Sequence, residues 1–224
     1  MKLMKVDALV FDLYGTLFDV FSVTETCRSL FGEKGPKVSE RWRQKQLEYA
    51  FLRQVMKNYV PFDVITKQAL RYACRFEQVE LTPEAEKELL NQYERLTPFP
   101  EVKETLTALS NKTRAIFSNG PASMLTPLLA HAGFEVYFDE VISVDEIKQY
   151  KPSPMVYQHV VHRLGVGREH ILFMSANAWD IAGAKNFGFQ TVWVNRAGLP
   201  FDELDVEPDY VVDDLSSLPT LLRK

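Results

Sequence analysis

The sequence has few of the residues that build many catalytic and metal-binding centres. Its 224 residues include only 4 histidines and 2 cysteines. The cysteines, Cys27 and Cys74, fall in predicted helices without the spacing of metal ligands, so we expect reduced thiols in a cytoplasmic protein. The histidines occupy helical or strand-entry positions where a surface or core role is expected: His131, His159, His162 and His170.

Long apolar runs and an excess of basic charge are also missing. No run of about eighteen apolar residues occurs, so no membrane span is expected. The basic start MKLMK is followed by a short strand that contains Asp7, whereas a signal peptide needs a longer apolar stretch. The net charge of -4 argues against a nucleic-acid partner. An anionic substrate would therefore need arginine or lysine placed locally.

What is present predicts an α/β chain with one helical interruption. With 46% hydrophobic and 25% charged residues, the chain has the composition of an ordinary globular protein of one or two domains. An apolar strand at residues 6–11 precedes about seventy residues with helical periodicity, including 38–59 and 64–76. After Pro100, short β-rich runs alternate with helical ones. This alternation predicts a Rossmann-like, doubly wound parallel sheet with an inserted all-helical segment.

The first strand leads directly into Asp12, a carboxylate at the edge where α/β folds place reactive groups. Tyr14 stands where many proteins with this strand-loop pattern carry a second aspartate, which can protonate a phosphate leaving group. A tyrosine, with a reference pKa near ~10, is a poor acid for that task. The loop therefore keeps a nucleophile and loses an acid, although a helix-capping or loop-shaping role for Asp12 is the alternative.

Five segments together resemble one known family. They read FDLYGTLFD at 11–19, WRQKQLEY at 42–49, SNG at 118–120, YKP at 150–152 and SANAWD at 175–180. The first resembles the leading motif of the haloacid dehalogenase superfamily, and the set resembles its (S)-2-haloacid dehalogenase branch. The resemblance implies an α/β core domain at 1–18 and 98–224, a helical cap domain at 19–97, and a homodimer. Apolar cap positions such as Phe51 and Leu52 permit such a dimer.

The resemblance also implies a reaction at carbon. Asp12 would attack an sp3 carbon that bears a halide, in line, and form an ester. Arg43 would stabilise the departing halide, with Asn119 as a second contact. Composition alone favours a solvated Arg43, and Phe62 and Trp179 as core aromatics. With the family pattern, these two aromatic side chains become apolar walls of the pocket.

A second group of residues is implied for substrate binding and ester hydrolysis. Ser118, with backbone N–H groups of residues 13, 14 and 119, would hold the substrate carboxylate. Lys151 would keep Asp12 and Asp180 ionised, and Asp180 with Asn177 would activate water. The implied catalytic set is Asp12, Thr16, Arg43, Ser118, Lys151, Tyr157, Ser175, Asn177 and Asp180. Implied substrate or halide contacts are Leu13, Tyr14, Arg43, Leu47, Phe62, Ser118, Asn119 and Trp179.

No metal and no cofactor are expected. Phosphatase branches of the superfamily place two aspartates in the motif where this chain has Ser175 and a lone Asp180, and Mg²⁺ needs several oxygen ligands. One departure is Ala176, because close relatives often read SSNAWD. The expected activity is hydrolysis of short (S)-2-haloalkanoic acids to (R)-2-hydroxyalkanoic acids with inversion. The alternatives are an azetidine-2-carboxylate hydrolase with the same nucleophile, a Mg²⁺-dependent phosphatase, and a non-catalytic protein that binds small acids.

Overall fold

The structure is a computed structural model that describes residues 5–223. Most of the basic start of the chain, residues 1–4, therefore lies outside the described residues. The strands are β1 (Ala8–Phe11), β2 (Phe18–Asp19), β3 (Thr97–Pro98), β4 (Thr113–Ser118), β5 (Glu140–Ser143), β6 (Ile171–Ser175), β7 (Gln190–Val194) and β8 (Tyr210–Val212). The helices are α1 (Thr24–Phe31), α2 (Gly35–Met56), α3 (Phe62–Phe76), α4 (Pro83–Gln92), α5 (Val102–Ala108), α6 (Ala122–Ala132), α7 (Pro154–Leu164), α8 (Ala178–Phe187) and α9 (Leu218–Leu221).

A six-stranded parallel sheet forms the centre of the molecule. Its strand order is β5-β4-β1-β6-β7-β8, and every neighbouring pair is parallel. All residues of β1, β6 and β7 are buried, as expected for parallel strands that helices cover on both faces. The strand order reverses beside β1, which is where ligands bind in open α/β sheets. The predicted fold class is confirmed.

The helical insertion leaves and rejoins the sheet domain at one two-stranded ribbon. In this ribbon β2 pairs antiparallel with β3, with Phe18 opposite Pro98 and Asp19 opposite Thr97. Helices α1 to α4 lie between these two strands. Both connections to the insertion therefore run side by side, a geometry suited to a hinge.

Helix α2 is the longest helix, with 22 residues, and its inner face is fixed by polar as well as apolar contacts. The buried Trp42 donates its indole N–H to the carbonyl of Thr66 on α3 at 2.8 Å. Gln46, one turn later, donates to Thr66 Oγ1 at 3.0 Å and accepts from Tyr93 Oη at 2.9 Å. Because these groups are buried and paired, they determine the rotation of α2 about its axis.

The predicted element types agree with the structure, and the boundaries shift by a few residues. The strand expected at 6–11 spans Ala8–Phe11, and the helix expected at 38–59 spans Gly35–Met56. The latter ends at Lys57, whose left-handed backbone stops the helix. Within residues 5–223, no helix has both the length and the apolar composition needed to cross a bilayer.

Candidate active site

The carboxyl ends of the central strands bring the polar residues together. Asp12 directly follows β1, Ser118 ends β4 and Ser175 ends β6. The strands are in register, because Phe11 lies opposite Ile116 on one side and Met174 on the other. The residues that follow parallel strands lie at the same edge of the sheet. Asp12 and Ser175 are therefore neighbours in space although more than 160 residues separate them in the sequence.

The two oxygens of the Asp12 carboxylate have different surroundings. Oδ2 accepts hydrogen bonds from Thr16 Oγ1 at 2.9 Å, Asn177 Nδ2 at 2.9 Å and Ser175 Oγ at 3.2 Å. Oδ1 accepts one hydrogen bond, from Lys151 Nζ at 3.1 Å. Three donors saturate Oδ2, whereas Oδ1 keeps lone-pair capacity for a bond to substrate. Oδ2 is therefore the oxygen fixed by hydrogen bonds, and Oδ1 is the oxygen available to form a bond.

Lys151 is a fully buried cation between two carboxylates. Its ammonium group donates to Asp12 Oδ1, to Asp180 Oδ2 at 2.8 Å and to the carbonyl of Phe117 at 2.8 Å. It also lies 4.1 Å from the centroid of the Phe117 ring. All three ammonium N–H groups are used, which a buried lysine requires. Lys151 therefore links the two acids of the site.

Asp180 is buried and strongly hydrogen-bonded. Tyr157 Oη donates to its Oδ1 at 2.7 Å, and Lys151 donates to its Oδ2. Desolvation by burial raises the pKa of Asp180 to about 6, aided by the nearby Asp12 charge and opposed by Lys151 and Tyr157. Burial also raises the pKa of Tyr157 well above its usual value, so the phenol stays a proton donor. A carboxylate with a pKa near this value suits a general base at neutral pH.

Asn177 is oriented toward the nucleophile. Its Nδ2 donates to Asp12 Oδ2 and also contacts the carbonyl of Tyr14 at 3.3 Å. The backbone N–H of Asp180 donates to the carbonyl of Asn177 at 3.0 Å, so the two residues expected to act together on water are joined at the start of α8. Thr16 is held in turn, because its Oγ1 accepts the backbone N–H of Ala176 at 2.8 Å. Ala176 therefore contributes through its backbone, which a serine at this position would do equally.

Arg43 and Tyr14 are polar groups without partners beside Asp12. In the described part of the chain, Arg43 donates no hydrogen bond and the buried Tyr14 Oη has no partner. Desolvation lowers the pKa of Arg43, while interactions with Tyr93, Asp12 and Tyr14 raise it. Donor groups that are removed from water without an acceptor cost folding free energy, and an anion that accepts their hydrogen bonds offsets this cost. This is the arrangement of an anion site.

The remaining predicted pocket residues lie on α2, α3, α8 and the loop after β4. The Tyr14 ring stacks on Phe62 at a centroid distance of 6.1 Å, and Phe62 is almost fully buried. Beside Asn119 lies Gly120, where a Cβ atom would stand 3.1 Å from Tyr14 Oη. Trp179 packs edge-on against Phe51 of α2 at 5.0 Å. Leu47 lies half-buried on α2, one turn after Arg43.

Ser118 and three backbone groups face the same edge. The Ser118 Oγ accepts the backbone N–H of Gly120 at 3.1 Å, which leaves its own proton free to donate. Within residues 5–223, the backbone N–H groups of Leu13, Tyr14 and Asn119 have no acceptor. Clustered free N–H groups at strand ends form an anion-binding concavity. They lie on the loops after β1 and β4, as the sequence predicts.

Several participants had no clear sequence signal. Tyr93 packs against Tyr14 at 6.1 Å and holds Gln46, yet it comes from the far end of the insertion. The carbonyl of Phe117 binds Lys151, and a backbone acceptor has no residue signature. Phe51, which the sequence marks as an apolar cap position compatible with a dimer, packs against Trp179. Among residues 5–223, no group of three His, Cys, Asp or Glu side chains is arranged to bind a metal ion.

Comparison with known proteins identifies the family. A family profile described as haloacid dehalogenase-like hydrolase matches residues 6–188. The chain belongs to the haloacid dehalogenase-like hydrolases. This haloacid dehalogenase-like hydrolase is 43% identical over 220 residues to an (S)-2-haloacid dehalogenase from Pseudomonas sp. (strain YL), covering 97% of this chain and 95% of that one. It is 42% identical, over 97% of this chain and 98% of the relative, to haloacetate dehalogenase H-2 from Moraxella sp. (strain B).

A solved structure extends the similarity to three dimensions. An L-2-haloacid dehalogenase from Xanthobacter autotrophicus with chloropropionic acid covalently bound matches this hydrolase with a TM-score of 0.92 and 37% identity. The match covers 97% of this chain and 98% of that chain. The likeness therefore includes the helical insertion as well as the sheet.

Proposed function

We propose that this hydrolase converts short (S)-2-haloalkanoic acids to (R)-2-hydroxyalkanoic acids through an ester formed on Asp12. The observation that carries this proposal is the pairing of a carboxylate that has one available oxygen with a neighbouring guanidinium. Asp12 Oδ1 keeps lone-pair capacity, and the neighbouring guanidinium of Arg43 makes no hydrogen bond to any residue that the structure describes. A nucleophile next to a cation suits displacement of a leaving group that departs as an anion.

In the first step, Asp12 Oδ1 attacks the α-carbon and the carbon–halogen bond breaks on the opposite side. The electron pair leaves with the halide, whose growing charge meets Arg43, Tyr14 Oη and the Asn119 side chain. In-line attack inverts the α-carbon. No leaving-group acid is needed because halide is a stable anion, which makes Tyr14 compatible with the chemistry.

The substrate carboxylate has a separate place on the core. Ser118 Oγ and the free backbone N–H groups of Leu13, Tyr14 and Asn119 supply donors without a formal charge. A fixed carboxylate and a fixed halide leave two orientations for the remaining substituents of the α-carbon. The apolar walls Phe62 and Trp179 accept the alkyl group in one of them, which is the basis for the expected (S) preference.

In the second step, water attacks the ester carbonyl carbon of Asp12 while Asp180 takes a water proton. The carbonyl oxygen is then Oδ2, which already faces the donors of Thr16, Ser175 and Asn177. These donors stabilise the negative charge of the tetrahedral intermediate without moving. The Cγ–Oδ1 bond breaks, the proton returns to Oδ1 through the Lys151–Asp180 pair, and the hydroxy acid leaves. The α-carbon is untouched, so inversion is retained.

Metal independence is part of the proposal. Lys151 Nζ lies within 3.1 Å of Asp12 and 2.8 Å of Asp180, so a protein cation already occupies the space between the two carboxylates. A Mg²⁺ ion would compete with this buried ammonium group for the same oxygens. The Arg43 cation likewise favours halide over the ring nitrogen of a strained cyclic amino acid, since a protonated nitrogen carries positive charge.

Three further proposals concern organisation. We place the core domain at 1–18 and 98–224 and the cap domain at 19–97; the β2–β3 ribbon supports this division. The protein is a homodimer, and the exposed apolar side chains of Leu52, Val55 and Met56 on α2 offer a surface for it. It resides in the cytoplasm, consistent with its two free cysteines.

The function is tested by measuring halide release from (S)- and (R)-2-chloropropionate and from chloroacetate in excess chelator. We expect release from the (S) form and from achiral chloroacetate, none from the (R) form, and no effect of the chelator. Chelator-sensitive phosphate release from an aryl phosphate, without halide release, would contradict the proposal. Binding of (S)-2-chloropropionate without turnover would also contradict it and favour a binding protein.

The pKa of Asp180 predicts the pH dependence of the second step. Ester hydrolysis needs ionised Asp180, so its rate should fall about tenfold per pH unit below the pKa of Asp180 in the ester. That pKa lies below the free-enzyme value of about 6, because esterified Asp12 no longer carries the negative charge that raises it. Tyr157→Phe removes a hydrogen bond that lowers this pKa, so the acid limb should move to higher pH. The acid limb is obtained by measuring the single-turnover rate of ester hydrolysis at pH values from about 4.5 to about 8, a range that includes the titration of Asp180. Tyr137→Phe, away from the site, is the control; an unmoved limb in Tyr157→Phe would contradict the assignment.

A further inference from the structure

A group of contacts joins the helical insertion to the chain segment just before Lys151. On the insertion side they involve the end of α2 and the linker between α2 and α3. These residues are distant in sequence from the β2–β3 ribbon, the other connection between insertion and core. We name the residues involved the latch: Gln54, Tyr59 and Val60 from the insertion, with Asp145 and Tyr150 from the core.

The latch has three short hydrogen bonds and a ring stack. The backbone N–H of Tyr150 donates to Gln54 Oε1 at 2.7 Å, and Tyr150 Oη donates to the carbonyl of Val60 at 2.6 Å. Tyr59 Oη donates to Asp145 Oδ1 at 2.7 Å. The rings of Tyr59 and Tyr150 stack with centroids 5.0 Å apart. Tyr150 is fully buried, so its backbone N–H depends on Gln54 for a partner.

On the core side, the latch is continuous with the catalytic network. Tyr150 immediately precedes Lys151, whose ammonium group bonds Asp12 and Asp180. The backbone N–H of Lys151 donates to Asn119 Oδ1 at 3.1 Å. A shift of Tyr150 would therefore move the backbone of Lys151 and its hydrogen bond to Asn119, the residue expected at the halide.

On the insertion side, the latch holds the helix that carries Arg43. Gln54 follows Arg43 by eleven residues, which is about three helical turns, so the two side chains lie on nearly the same face of α2. Phe51, on the same side of the helix, packs against Trp179 of the core. Gln54 thus anchors the carboxyl end of the face from which Arg43 reaches the site.

We propose that Gln54 is a positioning residue that, through Tyr150, holds α2 against the core so that Arg43 stands at the departing halide. The inference rests on the proposed dehalogenase function and deepens it. The insertion is then fixed to the core at two places, the β2–β3 ribbon and the latch. Opening at the latch would move Arg43 away from Asp12 while leaving the core donors for the substrate carboxylate in place.

Gln54→Met tests this role, because methionine has a similar length but cannot accept the Tyr150 N–H bond. In the closed position that buried N–H would lack a partner, so the open position is favoured. We expect single-turnover halide release to slow by about 5- to 150-fold, the factor that corresponds to about 1–3 kcal/mol for an unpaired buried donor. The KM for the substrate should change much less, because the core binds the carboxylate.

The choice of halogen separates positioning from a merely structural role. Chloride is the poorer leaving group and depends more on a cation than bromide does. The loss in Gln54→Met should therefore be larger for (S)-2-chloropropionate than for (S)-2-bromopropionate. A general loss of folded enzyme would reduce both rates by the same factor.

Three further variants complete the experiment. Gln54→Glu keeps an acceptor oxygen and should restore most of the rate. Gln44→Met makes the same chemical change on the exposed face of α2 and should leave the rate unchanged. Tyr59→Phe removes the bond to Asp145 but keeps the ring, and should reproduce the chloride-selective loss more weakly.

Two results would overturn the proposed positioning role of Gln54. One is a Gln54→Met enzyme that releases chloride at the wild-type rate, and the other is an equal loss for chloride and bromide. Failure of the proposed function looks different, because the wild-type enzyme itself would then release no halide from any 2-haloacid. If Gln54→Met is poorly folded, the ratio of chloride to bromide rates in Tyr59→Phe decides the question.

Discussion

An Asp12→Asn enzyme is expected to release halide from (S)-2-chloropropionate more slowly than wild type by a factor of more than ~10⁴. The reason is that both steps use Asp12: its Oδ1 forms the ester, and its Oδ2 carries the charge of the second intermediate. An amide nitrogen or oxygen is a far weaker nucleophile than a carboxylate. The initial rate of halide release, measured with enzyme in excess of substrate, reports the first step alone.

Asp7→Asn is the matched control for this variant. Asp7 lies just before the same strand, at its opposite end, and pairs with the exposed Lys5. It should retain wild-type activity. Circular dichroism and a thermal unfolding curve confirm that Asp12→Asn is folded. Halide release from folded Asp12→Asn within tenfold of the wild-type rate would show that another group attacks the carbon.

An Asp180→Asn enzyme is expected to release halide once and then stop. Asparagine still accepts a hydrogen bond from Lys151 but cannot take a proton from water, so ester formation proceeds and hydrolysis fails. A proton-transfer group contributes ~10²–10⁴ in rate, so steady-state turnover should fall by that factor. The measurement is a burst of halide equal to the enzyme concentration, with a matching mass increase on the peptide that contains Asp12.

Asp202→Asn, on an exposed loop, is the control and should turn over normally. The informative contrast is between the burst and the steady state in one sample. If Asp180→Asn lost the burst together with turnover, then Asp180 would be needed for the first step, and its assignment as the base for ester hydrolysis would be wrong.

Much of the fold could be predicted because its signals are local. Each core strand is a short apolar run that stops at a small or polar residue, and Asp12, Ser118 and Ser175 mark three of these ends. Parallel strands bring such ends to one edge, so the meeting of distant residues follows from topology. The start of α4 has a similarly local cause, because Thr82 Oγ1 accepts the N–H of Ala85 as an N-cap.

The sequence could not predict contacts that depend on how the insertion sits on the core. Gln54 and Tyr150 are 96 residues apart, and one partner is a backbone N–H. The distinction between the two oxygens of Asp12 also needed coordinates, since it depends on which way Asn177 points. Arg43 illustrates the limit most clearly. Its residue type on a charged helix suggests a solvated side chain, the family resemblance assigns it to the halide, and its placement beside Asp12 supports that assignment.

Tyr14 stands at the position where a second aspartate is missing from the first loop, and the structure shows its surroundings. In the proposed mechanism Tyr14 does not protonate a leaving group: burial raises its pKa, and among residues 5–223 its hydroxyl has no hydrogen-bond partner. Its ring fills the space between Phe62 and Gly120. The residue that removes an acid from the loop thus adds a neutral donor to the proposed halide site.

The central claim, that Asp12 forms an ester with the substrate, is tested most directly by a single turnover in ¹⁸O-labelled water with enzyme in excess. If Asp12 Oδ1 attacks the α-carbon, the hydroxyl oxygen of the product comes from Asp12 and the water oxygen enters the carboxylate. The account predicts unlabelled 2-hydroxypropionate and one ¹⁸O in the peptide that contains Asp12. Labelled 2-hydroxypropionate with an unlabelled Asp12 would show direct attack by water and contradict the account.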